Sequence, residues 1–348
     1  MGLIPLSSEH PRISIALATY NGDLYLEEQL ESLARQSLRP SELIVSDDGS
    51  TDRTLDIVRD FGRTAPFPVR ITPDHPRLGF ADNFLFAAEH CSGDYIAFCD
   101  QDDCWQPGKL ETQVKRMLAD KSVLSLHWLQ LTDRALRPTR DLWKQDITSD
   151  RVYEPLELNP YRTGWGNSML FDSRIVHAVP RELRPCQPEG GDLPLSHDTW
   201  IYTLAAALGR VSHITEPLLL YRQHGDNTYG VGPIPLRIRF RIFISVHERR
   251  LLAEESFNKA MAGLFQELGR SSDVWSGQAI TAARTFEQRA DLCRARLQVY
   301  DAECVRDRMR AYRSVRTTPG HKTWIGSDIK DLLLGVLGTS KRLKYLRK

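Results

Sequence analysis

Three carboxylates stand together in Asp100-Gln101-Asp102-Asp103, directly after the apolar run Tyr95–Cys99. Negative charge concentrated where a strand leaves a core is unfavourable unless something positive sits beside it. Asp100 and Asp102, one residue apart, can both turn toward one hard cation. The alternative is a solvated polar turn, with Pro107 opening the helix that follows. Two other polar clusters have the same kind of placement: Thr19-Tyr20-Asn21-Gly22 follows the apolar run 12–18, and Asp47-Asp48-Gly49-Ser50 follows Leu43-Ile44-Val45. Open α/β sheets bind ligands at the carboxyl ends of their strands. Three such clusters in one chain therefore argue for a nucleotide pocket that contains a metal.

The elements that must hold these clusters can be read from periodicity. Residues 12–18, 43–45, 69–72 and 95–99 are short apolar strands. Residues 25–36, with Leu26, Leu30 and Leu33 on one face, form a helix. A second helix runs to Phe61 with Ser50 or Thr51 as its cap, and a third covers 79–90. Four alternations of strand and helix imply parallel strands with crossover helices. No G-x-G-x-x-G follows the first strand, which argues against a dinucleotide-binding fold. After Leu118 the pattern loosens. Residues 123–131 alternate and are expected as an antiparallel or edge strand, and 134–163 read as loops. Strands are expected at 167–171 and 217–223, and a helix at 197–208. Beyond Ile234 the pattern is helical, which places a boundary near residue 230, between 1–230 and 231–348.

The 348 residues carry a net charge of +1, which hides an asymmetry. Residues 1–233 hold 23 Lys/Arg against 33 Asp/Glu, whereas 234–348 hold 23 against 12. An acidic front suits a cation-using site, and a basic back suits phosphate-bearing surfaces. The six cysteines (Cys91, Cys99, Cys104, Cys186, Cys293 and Cys304) form no C-x-x-C pair, which argues against zinc and for a reducing compartment. The N-terminal residues lack a signal-peptide pattern, and no eighteen-residue apolar run suggests a membrane span. A cytoplasmic location follows as the expectation, with peripheral contact on the inner face of the cytoplasmic membrane left open.

ALATYNG (16–22), SDDGSTD (46–52), GDYIAFCDQDD (93–103), HDTW (197–200) and YRQH (221–224), in that order, closely resemble the motifs of inverting family 2 glycosyltransferases. The subset with DQDD, HD-x-W and YRQH is similar to the rhamnosyltransferase-like enzymes that build lipopolysaccharide and other bacterial surface glycans. The resemblance implies a GT-A fold: an α/β unit with a mixed, mostly parallel sheet, followed here by an α-helical C-terminal region. It also implies roles. Tyr20 would stack on a pyrimidine base, with polar contacts from Thr19 and Asn21. Asp48 would accept the imide N–H of the base. Asp100 would contact the ribose, with Gln101 and Asn83 also on the donor side. Asp102, with His224, would hold Mg2+ or Mn2+ against the donor pyrophosphate, and Arg222 would point toward that pyrophosphate. Asp198 would be the general base that deprotonates the acceptor hydroxyl; its other reading is a carboxylate at a helix start. Trp165, Asn167, His197 and Trp200 would form the acceptor side, with Trp200 equally readable as core. Asp103 stays open between supporting acid and helix cap. Asp82-Asn83 departs from the Arg or Lys that many relatives carry before this asparagine, so Arg77 or Arg222 would have to compensate.

The expected partners are a nucleotide-sugar donor, with dTDP-L-rhamnose first and a UDP-hexose as the alternative, and a glycan or lipid-linked glycan acceptor. A non-catalytic glycan-binding scaffold is the competing class, disfavoured by the intact acids. In the C-terminal region, Arg237, Arg239 and Arg241 alternate with Ile238, Phe240 and Ile242, and Leu332-Leu333-Leu334 precedes a basic end. This pattern suits either an anionic membrane surface or a homo-oligomeric packing module. Nucleic acid is not an expected partner, because no binding motif accompanies the charge.

Overall fold

The computed structural model describes residues 11–144, 147–159, 164–188, 193–224, 247–318 and 336. The apolar runs fold as β1 (Ile13–Thr19), β2 (Glu42–Asp47), β3 (Val69–Ile71) and β4 (Tyr95–Cys99). Between them lie α1 (Leu26–Ala34), α2 (Thr54–Thr64) and α3 (Phe80–Glu89). β1 and β4 are buried along their whole length, as expected of strands covered on both faces. Leu26, Leu30 and Leu33 are the buried face of α1. The start of α2 differs from expectation. Neither Ser50 nor Thr51 caps it; Asp52 Oδ1 accepts from the N–H and hydroxyl of Thr54, the first helical residue.

The chain continues through β5 (Cys104–Trp105), α4 (Lys109–Asp120), β6 (Ser122–Thr132), β7 (Pro138–Trp143) and β8 (Arg151–Tyr153). It then forms β9 (Leu170–Asp172), α5 (His197–Leu208) and β10 (Arg210–Arg222). Among the described residues the strands make one mixed sheet ordered β3-β2-β1-β4-β9-β6-β10-β5, with β7 paired to β6 and β8 to β10. The β3-β2-β1-β4 half is parallel, β9 runs antiparallel to both β4 and β6, and β6 is parallel to β10. The ends of β1, β2 and β4 thus lie side by side, which gathers the three polar clusters.

Three expectations are refined or corrected. β6 pairs antiparallel with β7 and β9, as one of its two readings expected, and is interior instead of an edge: Ser125 Oγ accepts from Gln113 Nε2 at 3.0 Å, and Ser122 meets Ser212 at 2.7 Å. Residues 138–143 and 151–153 are strands, not loops; both lie off the central path, where exposed polar residues and a leading proline are tolerated. β10 starts at Arg210, well before 217, and accommodates Pro217 at a shift in its register with β6.

The chain divides into two compact units, Met1–Leu183 with Ser196–Gly230, and Arg184–Leu195 with Val231–Lys348. In the second unit α6 (His247–Ser271) packs along α7 (Ser276–Asp301), burying Phe257, Met261, Phe265, Ala279, Ala282 and Phe286. α8 (Val305–Thr317) buries Val315 and exposes Arg306, Arg310, Arg313 and Arg316. The 237–242 pattern lies outside the described residues, as does the basic end at 341–348. No described helix is long and apolar enough to cross a membrane.

Candidate active site

The loops after β1 and β2 are zipped together. Asp47 organises them: its carboxylate accepts from Thr19 Oγ1, the N–H groups of Gly49 and Ser50, and the Ser50 hydroxyl. Asn21 takes a left-handed conformation (φ 46°), tolerated by Asn, and its Oδ1 accepts from Thr51 N–H. Tyr20, 39% exposed, offers its ring at this rim. The Arg77 guanidinium lies 4.2 Å from that ring's centroid, with Nε 3.6 Å from Asp48. Asp48 is buried and accepts from the N–H groups of Leu78 and Gly79. A carboxylate has about four lone-pair sites, so Asp48 keeps capacity for one more donor.

Gln101 is a brace between strand ends. Its amide accepts from Tyr20 N–H at 2.9 Å and donates to Tyr20 C=O at 3.1 Å. Gly22 makes room for it, since a Cβ there would lie 2.3 Å from Gln101 Oε1. Asn83 is also a brace. It is buried, and its Nδ2 donates to the carbonyls of Thr19 and Ser46, tying the ends of β1 and β2 together. Its side chain therefore holds the ends of β1 and β2 together from a buried position.

The acids after β4 divide by environment. Burial, then the charges of Asp102 and Asp198, push the Asp100 carboxyl up to about 8, against a hydrogen bond from Asn167. Asp100 thus lies within electrostatic reach of both Asp102 and Asp198. Asp102 Oδ2 meets His224 Nε2 at 2.8 Å, and the imidazole packs on the Tyr25 ring at 4.8 Å. Asp103 has no solvent exposure; it accepts from Asn167 Nδ2 at 2.7 Å and Arg222 N–H at 3.1 Å. Burial and its neighbours' charges push its carboxyl well up. Asp103 is a hub joining the acidic loop, the turn Gly166–Ser168 and the end of β10, and caps no helix.

Arg222 lies beneath this loop at 2% exposure. Its Nε donates to Asp102 C=O, Nη1 to Arg134 C=O, and Nη2 pairs with Glu28. The expectation of a pyrophosphate contact is revised accordingly: the guanidinium holds the carbonyl of Asp102 and the end of β10. Asp198 sits in the first turn of α5. Oδ1 takes the Ser196 hydroxyl and Thr199 N–H, while Oδ2 accepts no hydrogen bond among the described residues. The helix-start reading and an available carboxylate oxygen coexist.

The acceptor-side expectations split. His197 is buried and stacked on Phe84 at 4.1 Å, and Trp200 is 1% exposed. α5 is buried on every side from Trp200 to Leu208, and only Asp198 and Thr199 in its first turn keep some exposure; His197 is therefore placed among core rings, and Trp200 takes the core reading that its sequence also allowed. Asn167 is buried against Asp103. Trp165 remains half-buried beside Tyr221, with ring centroids 5.2 Å apart. Lys109 was missed by sequence reasoning. It is wholly buried, donating to Gln113 Oε1 at 2.9 Å with its ammonium 4.1 Å from the Trp105 ring centroid. Burial lowers it to about 7, against the charges of Cys99 and Asp103. Its helical position next to Pro107-Gly108 gives no sequence signal of burial.

Among the described residues no preformed group of three or more metal-ligating side chains occurs. The donor chemistry nonetheless fits a hard divalent ion. A carboxylate–imidazole pair stands beside carboxylates that repel one another, and such ions take one or two protein carboxylates plus phosphates and water.

A sheet with polar donor and acid clusters gathered at its parallel strand ends, followed by helices, is the GT-A architecture. The solved structure of Staphylococcus aureus TarS 1–349 in complex with UDP-GlcNAc shares it, with a TM-score of 0.52 at 15% identity over 95% of this chain and 92% of that one. Residues 14–173 match the family model described as glycosyl transferase family 2. Over those residues, just under half of the chain, the protein is similar to this family. An uncharacterized glycosyltransferase of Nostoc sp. is 28% identical over 63% of this chain and 66% of its own length, so the match spans just under two thirds of that relative. The dTDP-rhamnosyl transferase RfbG of Shigella flexneri is 27% identical over 62% of this chain and 74% of its own.

Proposed function

We propose that the protein is an inverting, metal-dependent glycosyltransferase moving a sugar from a nucleotide diphosphate donor onto a hydroxyl of a bacterial surface glycan, such as lipopolysaccharide or O-antigen. One observation carries the reading: the acidic loop, tied to Tyr20 by the Gln101 brace, sets Asp102 against His224 at 2.8 Å and Asp100 within reach of the charges of Asp102 and Asp198. L-rhamnose from dTDP-L-rhamnose is the first donor, supported by the name of the Shigella relative; a UDP-hexose would use the same residues.

Tyr20 and Arg77 form the base end of the site, and Asp48 lies behind them for the imide N–H. Asp100 takes the ribose. Asp102, with His224, would hold the divalent ion, which when bound neutralises charge on the departing diphosphate. Asp198 Oδ2 takes the acceptor hydroxyl proton while that oxygen attacks the anomeric carbon. The bond from that carbon to the diphosphate oxygen breaks, and its electron pair leaves with the nucleoside diphosphate. A single displacement inverts the centre. Exposed Arg306, Arg310, Arg313 and Arg316 on α8 support peripheral contact with anionic lipid.

The test is turnover of dTDP-rhamnose and a UDP-hexose panel with EDTA, Mg2+ or Mn2+. Transfer or donor hydrolysis that needs the ion is expected. Donor binding with no turnover under any condition would replace this reading with a glycan-binding scaffold.

A further inference from the structure

β7 delivers a residue to the acceptor side that the sequence placed in a loop. The Trp143 ring centroid is 5.3 Å from that of Trp165, their planes at 64°, and Trp165 stands 5.2 Å from Tyr221 at 85°. Three rings thus meet in successive steep steps, with Tyr221 buried at the back and both indoles half-buried in front. This corner adjoins the acids at both ends. A Cβ on Gly166, the residue after Trp165, would lie 2.5 Å from His197 Nε2 and 3.6 Å from Asp198 Cβ. Tyr221, at the other end, feels the charges of Asp103, Asp100 and Asp102.

A purely structural cluster would close these indoles off. Here both stay half-buried, Trp143 at the end of a strand whose first four residues are exposed and Trp165 just before the turn Gly166–Ser168. Rigid aromatic faces beside a few fixed polar groups are what a ring with one apolar face and a polar edge requires. A pyranose is such a ring, with C–H groups on its face and hydroxyls around its edge. We propose that Trp143 and Trp165 form the acceptor subsite, stacking a pyranose of the acceptor glycan so that one hydroxyl faces Asp198 Oδ2. The inference rests on the glycosyltransferase reading and names Trp143 as a residue that selects the acceptor.

The test labels the tryptophan indole nitrogens with 15N. Trp143→Phe and Trp165→Phe assign their two signals among the seven tryptophans. The wild-type protein is then titrated with methyl α-L-rhamnopyranoside, methyl β-D-glucopyranoside and methyl β-D-galactopyranoside. The expected result is a saturable, parallel shift of the Trp143 and Trp165 signals with at least one glycoside, weakened about tenfold or more in Trp143→Ala, the size of one lost stacking contact. UDP or dTDP melting shifts monitor the donor half separately. If either nucleotide binds while no glycoside moves these two indoles, or moves only other tryptophans, the subsite is refuted and the transferase reading stands. If neither nucleotide nor glycoside binds, both readings fall together.

Discussion

The side-chain amide of Gln101 closes on the backbone of Tyr20 from both sides, accepting its N–H at 2.9 Å and donating to its carbonyl at 3.1 Å. The second residue of the acidic motif is therefore the link that ties the loop after β1 to the loop after β4. Gln101→Ala removes two hydrogen bonds at once, and each is worth about 1 kcal/mol. Nucleotide affinity measured by calorimetry should fall roughly tenfold or more. Gly22→Ala should do the same by pushing the amide away; unchanged affinity in both would show that the brace does not order the donor site.

Asp198→Asn keeps the shape of the first turn of α5 but removes the proton acceptor. Transfer should fall about 10²–10⁴-fold, while the nucleotide-induced rise in melting temperature stays. A loss of nucleotide binding instead would move Asp198 to the donor side.

Asp103→Asn tests the hub. Both carboxylate oxygens accept N–H donors, so one end of an amide must face a donor with another donor. A buried mismatch of this kind costs about 1–3 kcal/mol, visible as a lower denaturation midpoint. Asp102→Asn, which touches no such hub, should spare stability and affect the metal requirement.

Trp200→Ala should destabilise the fold by about 3–5 kcal/mol, the cost of emptying a buried aromatic position. Activity per folded molecule should follow the melting curve. Specific loss of acceptor binding in a fully folded variant would restore Trp200 to the acceptor side.

His213 supplies a pH signature. Burial, then the nearby Arg151 charge, lowers its imidazole to about 4, and the ring packs on Tyr153 at 4.6 Å. Between that value and the usual value near 6.5 the unfolded chain binds more protons than the folded one, so stability rises with pH. Its contribution is complete above about pH 6.5 and is lost as pH falls toward 4, for a total of roughly 3 kcal/mol. Chemical denaturation of His213→Phe across this range should show a flatter acid limb than wild type; an identical limb would assign the acid loss to other groups.

Several features were legible because they depend on local pattern. The apolar runs at 12–18, 43–45 and 95–99 had to be buried strands, and polar clusters at their ends had to lie together once the strands were parallel. α5 was bounded correctly from its own apolar content. Side-chain direction was not legible in the same way. HDTW reads as three candidate contacts, His197, Asp198 and Trp200, yet packing buries His197 and Trp200 and leaves Asp198 partly exposed in the first turn. Asn83 and Arg222 look like ligand contacts by type, but they face backbone carbonyls buried by elements far away in sequence. β7 went unseen because an edge strand needs no apolar alternation, and with it went Trp143.

By itself the sequence determined the order of strands and helices, the three clusters at their ends, and the kind of chemistry their side chains can do, since these follow from residue type and spacing. Only the tertiary structure decided which of those side chains face the cleft and which hold it in shape. That division depends on packing between segments such as Asp103, Asn167 and Arg222, which no local pattern brings together.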